Sequence, residues 1–280
     1  METLKGRTAV ITGAGSGIGR ALALQCAGLG MQVVLADVDE PGLTETARLI
    51  DRREGTFLVP TDVSNPDSME ALAERTYGAT GDVGVLFNNA GVASGGWIWE
   101  STPEDWAWIL GVNLMGVVHG IRAFVPRMMA EQRSGHIVNT ASAAGLISVP
   151  AASAYCASKH AVVTLSECLH HELQLKKADI GVSVLCPSFI QTGIVDSERH
   201  RPVTLRRSGV LHAPRDPNLE RGMRSATLSA DDVARIAIRG VIENTFYVVP
   251  HEKVLEGVEG RLSAIVGRRL PQCGSLPSGR

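Results

Sequence analysis

The sequence predicts a single α/β domain: a doubly wound parallel sheet of about seven strands, with helices on both faces. Three observations predict it. Short β-branched runs alternate with longer segments of helical period along most of the chain. A strand, a glycine-rich turn and an apolar helix follow one another near the start. Finally, 280 residues with 44% hydrophobic content suffice to bury roughly three quarters of the unfolded surface in one core. The domain is read as 1–270, with 271–280 as a frayed tail.

In chain order, the β-branched and apolar runs place strands near 7–12, 32–36, 56–60, 83–88, 136–141, 180–186 and 245–249. Between them, helical periodicity fills 17–29, 41–52, 66–77, 103–131, 153–176 and 230–243, and a further helix is expected within 252–270. From Phe189 to Leu228 the pattern lapses into Pro, Arg, Ser and His, too long for an ordinary connection, and 189–228 is read as a lid over a substrate.

A net charge of −2 and a pI of about 6.5, with Lys and Arg scattered, imply no nucleic-acid surface. The five cysteines show neither Cys-x-x-Cys nor Cys/His spacing, so reduced thiols and no metal site are expected, as in a cytoplasmic protein. The most hydrophobic stretch, Val112 to Met129, is broken by Asn113, His119 and Arg122, and neither a leader nor a membrane span is read.

The first strand runs into Gly13-Ala14-Gly15-Ser16-Gly17-Ile18-Gly19, preceded by Thr12. Glycines there let the backbone turn tightly and approach a pyrophosphate at a helix N-terminus, the Rossmann-type arrangement. The second strand ends at Asp37, where an acid can accept hydrogen bonds from the adenosine ribose and repel a 2′-phosphate; NAD is therefore expected over NADP. The competing reading is a loop aspartate capping the next turn. Asp62-Val63 could meet an adenine ring or simply form a turn, and Asn88-Asn89-Ala90-Gly91 could contact a ligand or simply end a strand.

Tyr155 and Lys159 lie four positions apart on one helix face, which permits coupling. A free phenol has a pKa of about 10, and an adjacent ammonium favours its phenolate; a depression of about three units equals about 4 kcal/mol, which requires a shielded pair assisted by the nicotinamide's charge. Ser142 follows the fifth strand and could orient a substrate oxygen or be an ordinary loop serine. Asn113 is an unexpected amide in a long helix, functional or a buried structural partner.

In this order, Thr12 to Gly19, Asp62, Asn88 to Gly91, Asn113, Ser142, Tyr155 and Lys159 resemble the short-chain dehydrogenase/reductase family over roughly Leu4 to Thr192. The resemblance implies a catalytic tetrad of Asn113, Ser142, Tyr155 and Lys159. Tyr155 would exchange the alcohol proton while hydride passes to or from the nicotinamide, and Ser142 would hold the carbonyl oxygen. Lys159 would bind ribose and depress the Tyr155 pKa, and Asn113 would support a water-mediated relay. Pro187-Ser188 stands where the family commonly has Pro-Gly, with Thr192 as a carboxamide or phosphate contact, and Pro250-His251 replaces a usual glycine pair.

The implied cofactor contacts are thus Thr12, Gly13, Ser16, Gly17, Ile18, Gly19, Asp37, Asp62, Val63, Asn89, Ala90, Gly91, Tyr155, Lys159, Pro187 and Thr192. Trp97, Trp99, Leu146 and Val149 are expected around a bulky apolar secondary alcohol or ketone, with Trp97 and Trp99 equally read as packing residues. The segments 97–100 and 113–117 are similar to family members acting on aryl or cyclic alcohols, including Cα-dehydrogenases of lignin-derived aryl ethers. Apolar residues on several faces of the Tyr155 helix suggest a homodimer or homotetramer. Two alternatives stand beside this reading. An NAD-retaining sugar-nucleotide epimerase or dehydratase would need a larger C-terminal portion, and a catalytically silent NAD-sensing or scaffold protein would not need the tetrad.

Overall fold

The protein is described by a computed structural model covering residues 4–51, 54–206, 224 and 226–271. Its strands are β1 (Thr8–Thr12), β2 (Gln32–Asp37), β3 (Thr56–Pro60), β4 (Val85–Asn88), β5 (Gly135–Thr140), β6 (Ile180–Leu185) and β7 (Tyr247–Val248). Among the described residues they form one parallel sheet in the order β3-β2-β1-β4-β5-β6-β7. The order reverses between β1 and β4, and at such a switch point the carboxyl ends of the strands diverge and leave a crevice.

Side chains alternate across β1 and so feed two cores. Ala9 and Ile11 pack with Leu22, Leu35, Phe87 and Val233 on one face, and Val10 packs with Val34, Leu86, Met69 and Phe124 on the other. The first face is covered by α1 (Gly17–Gly28), α2 (Glu40–Ile50) and α7 (Ala230–Glu243). On the other lie α3 (Pro66–Thr80), α4 (Pro103–Leu110), α5 (Gly116–Ala130) and α6 (Ser153–Leu175); α8 (Lys253–Val266) follows β7.

Helix starts follow local chemistry. Asp39 caps α2 through the Gly42 amide, Asn65 caps α3 ahead of Pro66, and Thr102/Asp105 and Ser229/Asp232 form capping boxes on α4 and α7. The helix expected over 103–131 is present with one change: between α4 and α5 a π-helical turn, Gly111–Met115, inserts itself. Pro103–Ala130 has the length and apolar content of a membrane span, yet it lies on the sheet with Ile109, Phe124 and Met128 buried. The last strand is shorter than expected, and the C-terminal helix stops at Val266.

At the amino ends of the strands a buried polar cluster ties loops together. Arg7 Nε donates to Asp82 at 2.5 Å, its Nη1 donates to the Ser134 carbonyl at 3.0 Å, and the Thr8 hydroxyl donates to Asp82 at 3.1 Å. Nearby, buried His136 meets the Ser183 hydroxyl through Nε2 at 2.8 Å, and burial lowers its pKa to about 4.

Candidate active site

At the carboxyl ends of the strands a cavity of 670 Å³ runs from the glycine turn to Tyr155. The turn fits a dinucleotide. Gly13 and Gly17 have φ of +70° and +53°, and a Cβ at Gly19 would stand 2.0 Å from the Gly13 carbonyl oxygen, so only glycine permits this close path. Ser16 makes no side-chain cap on α1, and Ser16 to Gly19 at the start of that helix line the cavity. Asp37 lines the same end, with its oxygens accepting the amide protons of Gly15 at 2.9 Å and Asp39 at 3.0 Å. Arg20, the neighbouring cation, is engaged by the Gly15 carbonyl and by Thr46.

Asp62, Val63, Asn89, Ala90 and Gly91 also line the cavity, and Asp62 additionally closes a local turn onto Ser64. Thr12 does not line it. Its buried hydroxyl accepts the Asn89 and Ala90 amides and donates to the Phe87 carbonyl, so Thr12 holds the two loops in place from behind; the expected cofactor contact is corrected to a supporting one.

At the other end, Ser142 caps the 3₁₀ turn Ala143–Gly145 by accepting the Ala144 amide at 3.1 Å, which fixes its hydroxyl beside Tyr155. Tyr155 and Lys159 project from α6 into the cavity with Pro187 opposite. The expected depression of the Tyr155 pKa drew on the nicotinamide's charge as well; within the chain alone, burial raises it, against a smaller lowering by the Ser142 hydrogen bond. The reason is geometric. The Lys159 ammonium donates to the Thr140 carbonyl at 2.9 Å and lies 5.8 Å from the Tyr155 ring centroid, and burial lowers its own pKa to about 8.

Asn113 sits in the π turn, fully buried and behind the cavity wall. Its Oδ1 accepts the Val92 amide at 2.8 Å, and its Nδ2 donates to the Val92 carbonyl at 2.9 Å and to the Ser158 hydroxyl at 3.2 Å. Both Asn113 Oδ1 and Lys159 Nζ approach Gly91, at 3.4 and 3.5 Å from the position of an added Cβ. Sequence reasoning missed Ser158 and Thr140, the direct partners of Asn113 and Lys159; the i−1 position of Ser158 to Lys159 was the only linear signal.

Of the expected substrate wall, Val149 lines the cavity, and Trp97, Trp99 and Leu146 do not. Trp97 and Trp99 stack on each other at 5.4 Å on an exposed loop, and Leu146 packs against the small core of Val162 and Val184. Trp108 and Leu205 take their place. The described part of the segment expected as a lid forms a strap of 3₁₀ turns, Gly193–His200 and Val203–Leu205; 207–223 and 225 of the expected 189–228 lie outside the described residues. Thr192 at its start lines the cavity with its methyl group 3.1 Å from an added Gly17 Cβ. Of the apolar α6 residues, Val162, Val163, Leu169 and Leu173 are buried within the chain, Ala161 and Leu165 are half-buried and Ala157 is exposed.

The model of the short chain dehydrogenase family matches residues 7–202. A crystal structure of a short chain dehydrogenase/reductase from Burkholderia phymatum, in complex with NAD, superposes with a TM-score of 0.95 at 46% identity, covering 99% of this chain and 100% of that one. A CLA biosynthesis dehydrogenase/reductase of Lactiplantibacillus plantarum is 32% identical over 97% of each chain. A C alpha-dehydrogenase of Sphingobium sp. is 33% identical over 97% of this chain and 89% of its own. With the glycine turn, the crevice at the switch point and these likenesses together, the chain belongs to the short-chain dehydrogenase/reductase family of nicotinamide-dependent oxidoreductases.

Proposed function

We propose that this protein interconverts a bulky, apolar secondary alcohol and its ketone with NAD as the preferred cofactor, and that Tyr155 gives and takes the proton. The observation that carries this reading is one continuous cavity with the glycine turn and Asp37 at one end and Tyr155 with Ser142 at the other. Its chemical end is walled by Val149, Phe189, Trp108 and Leu205, which suits an aryl or cyclic group. The name of the Sphingobium relative, a C alpha-dehydrogenase, supports the dehydrogenase reading.

When bound, the cofactor supplies hydride exchange at its nicotinamide. The chain supplies the rest. Gly13, Ser16, Gly17, Ile18 and Gly19 would hold the phosphates, Asp37 the adenosine ribose, Asp62 and Val63 the base, and Asn89, Ala90, Gly91, Pro187 and Thr192 the nicotinamide end. Ser142 orients the substrate oxygen toward the Tyr155 hydroxyl. A buried phenol with a raised pKa keeps its proton at neutral pH, so Tyr155 is already charged with the proton that carbonyl reduction requires. Lys159 holds the ribose hydroxyls and, as positive charge accumulates at the site, favours the phenolate in alcohol oxidation. Asn113, by fixing Val92 and sharing Ser158, supports the relay that returns the proton to water. We place the protein in the cytoplasm as a homo-oligomer, to which the exposed apolar residues Leu262, Ile265 and Val266 of α8 contribute.

The test is Tyr155→Phe, read against a panel of aryl, terpenoid, steroid and aliphatic secondary alcohols. Turnover is expected to fall by about 10³-fold or more while NADH fluorescence titration gives an unchanged affinity. Unchanged turnover in the variant refutes the mechanism.

A further inference from the structure

The outer wall of the cavity is closed by two pieces of chain far apart in sequence, the strap and α4, and one side chain spans them. Arg201 leaves the strap between its two 3₁₀ turns and is buried, with the Arg201 and Asp105 side chains each only 1% exposed. Its Nη2 donates to Asp105 Oδ1 at 2.7 Å, its Nε donates to the Leu205 carbonyl at 2.7 Å, and its Nη1 donates to Glu198 at 3.2 Å. The guanidinium also lies over the Trp108 ring, 5.0 Å from its centroid. Asp105 is fixed independently, because its second oxygen accepts the Thr102 amide in the α4 capping box.

Burying two charges costs solvation that their attraction barely returns, so such a pair is poorly explained as a source of stability. It does define a geometry. A planar guanidinium with its donors satisfied in three directions and a ring beneath it admits one position of the strap relative to α4. Ala107 and Trp108 of α4 and Pro202 and Leu205 of the strap line the same cavity, with Leu205 packed against the apolar cluster that contains Trp108. A second tie, the Ala93 amide donating to the Ser197 hydroxyl at 3.2 Å, fastens the strap to the loop that Asn113 holds.

We propose that Arg201 is a positioning residue that sets the shape of the substrate end, fixing Leu205 of the strap on the apolar cluster around Trp108 of α4. The proposal rests on the dehydrogenase reading above for its substrate consequence; its structural half does not. Arg201→Met combined with Asp105→Asn removes both charges without stranding either, and the asparagine keeps an acceptor for Thr102.

Hydrogen exchange of the cofactor-free protein is then expected to quicken by about tenfold or more across 193–206 while α6 keeps its protection. With the aryl secondary alcohol turned over fastest by the wild type, KM is expected to rise by about tenfold, with kcat and the NADH affinity within about twofold. Arg201→Lys keeps the charge but neither the Leu205 bond nor the ring contact, and is expected to lose strap protection as well. Unchanged strap exchange in the double variant, full protection in Arg201→Lys, or an unchanged KM overturns the proposal. A wild-type protein that binds no NADH and turns over no alcohol overturns the dehydrogenase reading instead, and the exchange experiment still decides the role of Arg201.

Discussion

The Asp37 carboxylate accepts the amide protons of Gly15 and Asp39, and this double tether holds its negative charge at the mouth of the glycine turn. A 2′-phosphate would meet that charge with Arg20 already committed to the Gly15 carbonyl and Thr46. Asp37→Asn keeps the shape and one acceptor and removes the charge. The preference for NAD over NADP, measured as the ratio of kcat/KM, is expected to fall by about tenfold, about 1.4 kcal/mol; an unchanged ratio dissociates Asp37 from cofactor choice. Tyr155 and Lys159 were legible because a four-residue spacing fixes one helix face, and Asp37 because it ends a strand after the glycine turn. The burial that raises the Tyr155 pKa within the chain was not. Desolvation depends on what surrounds a group in three dimensions, and the Thr140 carbonyl that draws the Lys159 ammonium of α6 comes from strand β5.

Elements were legible wherever their period was clean. The parallel strands and most helix starts follow directly from β-branched runs and from capping residues such as Asn65 and Thr102. The π turn at Gly111–Met115 was hidden, since one additional residue in a turn leaves an apolar pattern nearly intact, and the tie between Arg201 and Asp105 spans 96 residues with no linear sign. Helix α5 offers a test of how an element is fitted to its neighbours. Gly120 lies mid-helix, where alanine is ordinarily the more stable residue by about 1 kcal/mol. Here a Cβ would fall 2.1 Å from Asn88 Oδ1 and push away a side chain whose Nδ2 donates to Asn139 at 2.9 Å. Gly120→Ala is therefore expected to destabilise by about 1–3 kcal/mol in urea unfolding. A gain in stability would show that Asn88 has room to move.

For the whole molecule, acid sensitivity follows from His136. Its pKa lies near 4 when folded against 6.5 when free, so between pH 6.5 and 4 the unfolded chain binds a proton that the folded chain refuses. Stability is thus fully present above pH 6.5 and is lost as pH falls toward 4, by about 3 kcal/mol from this group. His136→Asn, which retains a donor for Ser183, is expected to flatten urea midpoints over that window; an equally steep dependence would assign the sensitivity elsewhere. His136, Arg7 and Asp82 all lie at the amino rim of the sheet, and the residues lining the cavity gather at the carboxyl rim. The strands between them are rigid spacers five or six residues long in β1, β2, β5 and β6. A lineage selected for heat or acid tolerance can rewrite one rim, and a lineage selected for a new alcohol can rewrite the other, with neither edit obliging the other.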